Sequence, residues 1–91
     1  MASKEHWVYI LKCQDGTLYT GYTNDLAHRI RMHEEGKGAK YTRGRGPFHL
    51  MYTCAFEDKS DAMRAEYRIK KLPRHEKLAM IQAYEKGMCD E

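Results

Sequence analysis

Tyrosine, arginine, histidine and glutamate side chains occur beside apolar positions in this sequence, where they can take part in chemistry. The segment WVYILKCQDGTLYTGYTNDLAHR holds Tyr9 and Tyr19 in two apolar stretches, and Arg29 follows ten residues after Tyr19. A free phenol has a pKa near ~10, so it is a poor base at neutral pH unless nearby positive charge lowers that pKa. Whether these hydroxyls can act chemically therefore depends on whether the fold brings a positive charge close to them.

Two helical segments carry polar residues at the margin of an apolar stripe. At 100° per residue, Leu26, Ile30 and His33 fall within about 60° of one another, and Arg29 lies beside them. In a later segment, Glu66 lies roughly 40° from Ala62 on the apolar face. A carboxylate at such a margin is costly unless it is paired, hydrated or bound to a cation.

Simpler interpretations of these residues stay open from the sequence alone. Arg29 can pair at the surface with Asp25 or Glu34, and Glu66 can pair with a neighbouring cation such as Lys70. The two tyrosines can be ordinary sheet aromatics, because aromatic residues favour strands.

The hydrophobic pattern predicts six elements in the order β-β-α-β-α-α. Strands are predicted over 6–13, 17–23 and 48–56. Helices are predicted from Asn24 or Asp25 to about Glu35, from Ser60 or Asp61 to about Leu72, and from Pro73 to about Lys86. This order indicates an α+β fold with a small three-stranded antiparallel sheet flanked by helices. The 91 residues are expected to form one domain, with a core over about 6–87.

The hairpin between the first two strands allows two registers. A two-residue Asp15-Gly16 loop pairs Tyr9 with Tyr22 and puts Tyr19 on the opposite face. A three-residue loop that begins at Gln14, with Gly16 left-handed in a bulge, pairs Tyr9 with Gly21 and puts both tyrosines on one face. The sequence permits either loop, and only a functional interpretation favours the second.

Composition and cysteine spacing indicate the cellular compartment in which the protein is expected. The net charge is a mild +3, and Cys13, Cys54 and Cys89 lack C-x-x-C spacing. An odd number of cysteines without that spacing does not indicate a disulfide framework. Cys13 and Cys54 are expected to be buried, whereas Cys89 is expected to be exposed. No apolar stretch reaches membrane length and no secretory segment is recognisable, so a cytoplasmic location without membrane contact is expected.

Two basic segments predict a polyanionic partner. The loop from Gly36 to Pro47 has no acid and carries Lys37, Lys40, Arg43 and Arg45, with Tyr41 available to stack on a base. Residues 64–77 carry six lysines and arginines against two acids, including Lys70, Lys71 and Arg74. Both segments can also be solvated surface, but two of them on a nearly neutral protein favour nucleic acid as the partner.

The triplets Trp7-Val8-Tyr9 and Tyr19-Thr20-Gly21, the Arg29 spacing and the Glu66 helix resemble the GIY-YIG nuclease domain family over nearly the whole chain. The segments GKGAKYTRGRGP and RAEYRIKKLPRHEK are similar to those of its small stand-alone bacterial members. The resemblance implies an endonuclease, a phosphodiester hydrolase that uses a single divalent cation, Mg²⁺ or Mn²⁺, with DNA favoured over RNA as its substrate.

The resemblance also implies roles for particular residues. Glu66 would hold the cation and Arg29 would grip a phosphate oxygen. Tyr19, supported by Tyr9, would help to deprotonate the attacking water, with His33 near the substrate. Gly21 would keep the strand slim beside the site. Nucleic-acid contacts are expected from Tyr22, Lys37, Lys40, Tyr41, Arg43, Arg45, Lys70, Lys71 and Arg74.

This sequence departs from the family pattern at two places. Tyr22 stands where some relatives have a lysine, and the chain lacks the asparagine that many carry beyond the glutamate, since Asn24 is its only asparagine. The missing asparagine and the small size of the chain favour a second hypothesis, a non-catalytic nucleic-acid binding module on the same fold. Both departures bear on the activity and its substrate more than on the fold. No protein partner is indicated.

Overall fold

The computed structural model describes residues 5–37 and 46–85, and these form the six predicted elements in the predicted order. The strands are β1 (His6–Lys12), β2 (Leu18–Thr23) and β3 (His49–Phe56). The helices are α1 (Leu26–Glu34), α2 (Lys59–Lys70) and α3 (Arg74–Glu85). The α+β fold class and the three-stranded antiparallel sheet are therefore confirmed.

Strand β1 lies at the centre of the sheet, whose order is β2-β1-β3. Val8, Tyr9, Ile10 and Leu11 are all fully buried, as expected of a strand covered on both faces. One face, with Val8 and Ile10, packs against α2 and α3 in the main core cluster. The other face, with Tyr9, is covered by α1 through His33.

The hairpin adopts the three-residue loop, so the register that puts both tyrosines on one face is the one observed. Gly16 has a φ of +86°, its N–H donates to the Cys13 carbonyl at 2.9 Å, and the Cys13 N–H donates to the Thr17 carbonyl at 2.8 Å. A left-handed residue at this position favours glycine because it has no Cβ to clash. Tyr9 consequently pairs with Gly21.

Aspartate caps begin the first two helices. The Asp25 carboxylate accepts from the His28 N–H at 3.3 Å, in agreement with one of the two predicted caps. The Asp58 carboxylate accepts from the Ser60 N–H at 3.1 Å, so α2 begins one residue before the predicted Ser60. It ends at Lys70, two residues before the predicted Leu72.

The helices bury their apolar residues to different extents. Ala62, Ala65 and Ile69 of α2 are buried, and so are Cys13 and Cys54. Leu78 of α3 is 44% exposed, because α3 packs mainly on the edge strand β3 and leaves its flank uncovered. In the described ranges, no helix has the length and apolar character needed to cross a membrane.

Candidate active site

Tyr9 and Tyr19 project from neighbouring strands onto the same face of the sheet, with ring centroids 6.3 Å apart. Gly21 makes this arrangement possible. A Cβ atom at Gly21 would lie 2.5 Å from the Tyr9 hydroxyl oxygen and 3.0 Å from a ring carbon of Tyr19. The two tyrosine rings therefore occupy the space that a side chain at Gly21 would fill.

Helix α1 brings His33 into contact with both rings. His33 is 1% exposed, and its Nε2 lies 2.9 Å from the Tyr9 hydroxyl oxygen. Its ring centroid lies 5.4 Å from that of Tyr19 and 5.9 Å from that of Phe48. His33 was predicted at a helix edge, and its contacts now place it between the tyrosines and the start of β3.

Arg29 lies one helical turn before His33 and reaches the tyrosines rather than only the solvent. Hydrogen bonds with the Tyr9 hydroxyl, and to a smaller extent with that of Tyr19, raise the pKa of the Arg29 guanidinium. Arginine can only donate, so the tyrosine oxygens accept from it. The hydroxyl hydrogen of Tyr9 is then free to be donated to His33 Nε2.

Burial determines the protonation states of His33 and Tyr9. Desolvation lowers the pKa of His33 to about 4, and the positive charge of Arg29 lowers it further in the same direction. Desolvation also raises the pKa of Tyr9 to about 12, although its hydrogen bond with Arg29 opposes the rise. At neutral pH, His33 is therefore an uncharged imidazole and Tyr9 keeps its proton.

Glu66 approaches this cluster from α2. Burial is the main cause of the raised pKa of Tyr9, and the negative charge of Glu66 adds to it. The Glu66 side chain is only 14% exposed, and its Oε2 lies 3.0 Å from Lys70 Nζ. The described residues contain no group of three or more His, Cys, Asp or Glu side chains suited to hold a metal ion. Glu66 is the carboxylate whose charge acts on Tyr9, so it is the residue of this site that could hold a cation.

A single carboxylate fits Mg²⁺, which keeps several waters and completes its shell with substrate phosphate oxygens. The sheltered position of Glu66 also fits, because a carboxylate with little access to solvent gains from a second cationic partner. Lys70 occupies one side of the carboxylate and would compete with the ion.

The other predicted lysine and arginine contacts within the described ranges are exposed. Lys37 follows α1 and is exposed, as is Arg74 at the start of α3. Lys71 lies over the exposed ring of Tyr67, 4.4 Å from its centroid. The predicted residues Lys40, Tyr41, Arg43 and Arg45, and also Cys89, lie outside the described residues.

Tyr22 does not join the other tyrosines. It follows Gly21 in β2 and so points to the opposite face, where it packs against the main core cluster. Its hydroxyl lies 2.8 Å from His6 Nδ1, and the two rings stack. The expected nucleic-acid contact by Tyr22 stays a prediction, on a face away from Tyr9 and Tyr19.

Three residues beside the cluster were not predicted as part of the site. Phe48 packs on His33, whereas Thr20 and Lys77 line a groove next to Tyr19. The sequence identified Phe48 only as the first residue of a predicted strand, and Thr20 only as the middle residue of the triplet Tyr19-Thr20-Gly21. Lys77 belonged to a basic segment whose spacing does not reveal which cation turns toward the sheet.

Comparison with known proteins identifies the family. The family model described as the GIY-YIG catalytic domain matches residues 5–79. A UPF0213 protein of Oceanobacillus iheyensis is 63% identical over 82 residues, which cover 90% of this chain and 95% of that protein. A UPF0213 protein of Halobacterium salinarum is 56% identical over 76 residues, which cover 84% of this chain and 99% of that protein.

Two solution NMR structures share the fold. That of a UPF0213 protein from Bacillus halodurans has a TM-score of 0.57 at 57% identity, over 85% of this chain and 82% of that one. That of a protein from E. faecalis has a TM-score of 0.63 at 40% identity, over 93% and 92% of the two chains.

Proposed function

This chain belongs to the GIY-YIG family, and on that premise we propose that it is a metal-dependent endonuclease-like domain that hydrolyses DNA phosphodiester bonds. The observation that carries the proposal is the hydrogen-bonded group of Arg29, Tyr9 and His33, with the Tyr19 ring beside it and the charge of Glu66 acting on Tyr9. Branched, damaged and single-stranded DNA are the substrates to be tested first.

Arg29 is the proposed phosphate ligand. A guanidinium has five N–H donors, so its bonds to the two tyrosines leave donors for a non-bridging phosphate oxygen. The tyrosine bonds also hold the guanidinium in one orientation, which reduces the entropy lost when substrate binds. Positive charge at this point stabilises the transition state of phosphodiester cleavage, in which negative charge increases.

Tyr19 is the proposed proton acceptor for the attacking water, because it is the more exposed tyrosine of the pair. Tyr9 is unsuited to that role, since its pKa of about 12 keeps it protonated and its hydroxyl is engaged with His33. Tyr9 instead acts as a positioning residue that aligns Arg29 beside Tyr19. The uncharged His33 supports Tyr9 without adding a competing positive charge.

Glu66 is the proposed ligand of a single divalent cation, Mg²⁺ or Mn²⁺. When bound, such a cation neutralises charge on the scissile phosphate and on the leaving oxygen. The chain's own contribution is a carboxylate that is only 14% exposed and whose charge acts on Tyr9. Release of Lys70 from Glu66 would accompany cation binding.

A second function, nucleic-acid binding without cleavage, is favoured by one observation. Glu66 already has a cationic partner in Lys70 at 3.0 Å, so the fold has no need of a metal to satisfy it. A binding module would retain DNA in a salt-sensitive manner and would need no divalent cation at Glu66.

The test incubates the purified protein with duplex, nicked, branched and single-stranded DNA, and with matched RNA, in Mg²⁺, Mn²⁺ or chelator. We expect cation-dependent cutting of at least one DNA form, and a loss of roughly 100-fold or more in Glu66→Ala, as for the removal of one group that stabilises developing charge. Glu57→Ala, an exposed acid before α2, is the matched control. Failure of the wild type to cut any DNA, or equal cutting by Glu66→Ala, rules out the catalytic proposal.

A further inference from the structure

A groove lies between β2 and the two C-terminal helices, immediately beside Tyr19. Its walls are formed by Leu18, Tyr19, Thr20, Lys70 and Lys77. Lys70 comes from the end of α2 and Lys77 from the first turns of α3, so two separate helices turn a cation toward the same strand. Tyr19 belongs both to this groove and to the tyrosine cluster.

The two lysines repel each other in the free protein. Partial burial, and then the charge of Lys70, lower the pKa of Lys77. Lys70 has Glu66 as a partner at 3.0 Å, whereas Lys77 has no ion-pair partner within the ranges 5–37 and 46–85. An anion in the groove would relieve this repulsion, because it would interact favourably with both ammonium groups.

Thr20 supplies an independent sign of a ligand. The residue is 3% exposed, and its hydroxyl is the buried side-chain polar group of the described chain that has no hydrogen-bond partner. Native proteins satisfy nearly all buried hydroxyls, since an unpaired one costs about 1–3 kcal/mol. A hydroxyl in the wall of a cationic groove can donate to an anion after a rotation about χ1.

We propose that this groove is a phosphate-binding subsite, with Lys70, Lys77 and the Thr20 hydroxyl as donors to the phosphate oxygens. All three groups can donate, which matches a phosphodiester group that only accepts. Tyr19 borders both sites. A DNA strand whose scissile linkage lies at the tyrosine cluster would therefore present a neighbouring backbone phosphate to the groove. The identity of the occupant as a nucleic-acid phosphate rests on the proposed function; the binding of phosphate itself does not.

The experiment measures binding in the absence of divalent cations, so that it is independent of cutting. Backbone amide shifts of ¹⁵N-labelled protein are followed during titration with inorganic phosphate and, separately, with a short single-stranded oligodeoxynucleotide. Wild type is compared with Thr20→Val and Lys77→Gln. Lys59→Gln, at the exposed start of α2 and away from the groove, is the matched control.

We expect shifts at Leu18–Thr20 with both ligands. Lys77→Gln should weaken oligonucleotide binding about tenfold and should reduce the slope of log K against log salt by about 0.7 for a single strand. Thr20→Val should weaken phosphate binding several-fold while keeping or raising the unfolding temperature, because the unpaired hydroxyl is removed. A merely structural Thr20 would not give that combination.

The outcomes separate this inference from the nuclease proposal. Weaker oligonucleotide binding in both groove variants, with no DNA cut by the wild type, supports the subsite and removes the hydrolase. Phosphate binding without any effect of the variants on oligonucleotide affinity overturns the assignment to a nucleic-acid phosphate. Absence of shifts at Leu18–Thr20 with either ligand overturns the subsite altogether.

Discussion

Replacing Gly21 by alanine should damage the tyrosine cluster directly. The added Cβ would lie 2.5 Å from the Tyr9 hydroxyl oxygen and 2.6 Å from Tyr9 Cζ, whereas ordinary van der Waals contact begins near 3.4 Å. The Tyr9 ring must therefore move by about 0.9 Å, and it is fully buried, so no free space is available. Overpacking of this kind costs about 1–3 kcal/mol of unfolding free energy.

The same displacement should break the 2.9 Å contact between the Tyr9 hydroxyl and His33 Nε2. A misplacement of about 1 Å near reacting groups can lower a catalysed rate roughly 100-fold. Urea unfolding should register the loss of stability, and histidine side-chain NMR should register a changed environment of His33. A cutting assay on any DNA that the wild type cleaves should register the loss of rate.

Gly16→Ala is the control for stability alone. Gly16 has a φ of +86°, and an added Cβ there meets no atom within 4 Å, so this change introduces backbone strain in the hairpin without contact at the site. It should lower stability while leaving the His33 signals and any cutting intact at a temperature where the protein is folded.

A second variant tests the mechanism of the clash. In a Tyr9→Leu background the ring is absent, so Gly21→Ala should cost much less than it does in the wild type, and the two changes should not be additive. If Gly21→Ala leaves the unfolding free energy and the His33 signals unchanged in the wild type, the close approach of Tyr9 to the strand is wrong.

Three further predictions concern the protonation, base and metal roles. The pKa of His33 falls from an unfolded value near 6.5 to about 4, so the unfolded chain binds the proton more readily than the folded protein does. The unfolding free energy should therefore be at its full value above pH ~6.5 and should fall by about 3 kcal/mol toward pH 4. Urea unfolding at several pH values should show a flatter pH dependence in His33→Gln than in the wild type. Tyr19→Phe should reduce the rate of DNA cutting about 100-fold or more, as for loss of a general base. Tyr9→Phe should instead lower the unfolding free energy by about 1–3 kcal/mol, because buried His33 Nε2 loses its hydroxyl partner. Equal effects of the two changes on stability would contradict this division of roles. Glu66→Gln should abolish Mn²⁺ binding measured by calorimetry or by paramagnetic broadening, and undiminished Mn²⁺ binding would exclude Glu66 as the ligand.

Much of the fold could be predicted because its signals are local. The apolar runs of the three strands, the Asp25 cap and the start of α3 directly after Pro73 each depend on residues only a few positions apart. The exposure of Leu78 could not be predicted, because a helical stripe does not reveal how much of the sheet the helix will cover. The chain order determines that α3 follows α2, but packing determines that α3 lies mainly on the edge strand β3.

For the candidate site, the sequence alone determined the set of candidate residues. These are two tyrosines in adjoining strands, an arginine and a histidine on one helix, and a glutamate on another. Only the tertiary structure decided the three-residue hairpin that turns Tyr9 and Tyr19 to one face. It also decided the contact of His33 with Tyr9 across 24 residues of chain, and the meeting of Lys70, Lys77 and Thr20 in one groove. The physical reason is that residue type and periodicity are local properties. Register, burial and the pKa shifts that burial causes depend on which distant elements pack together.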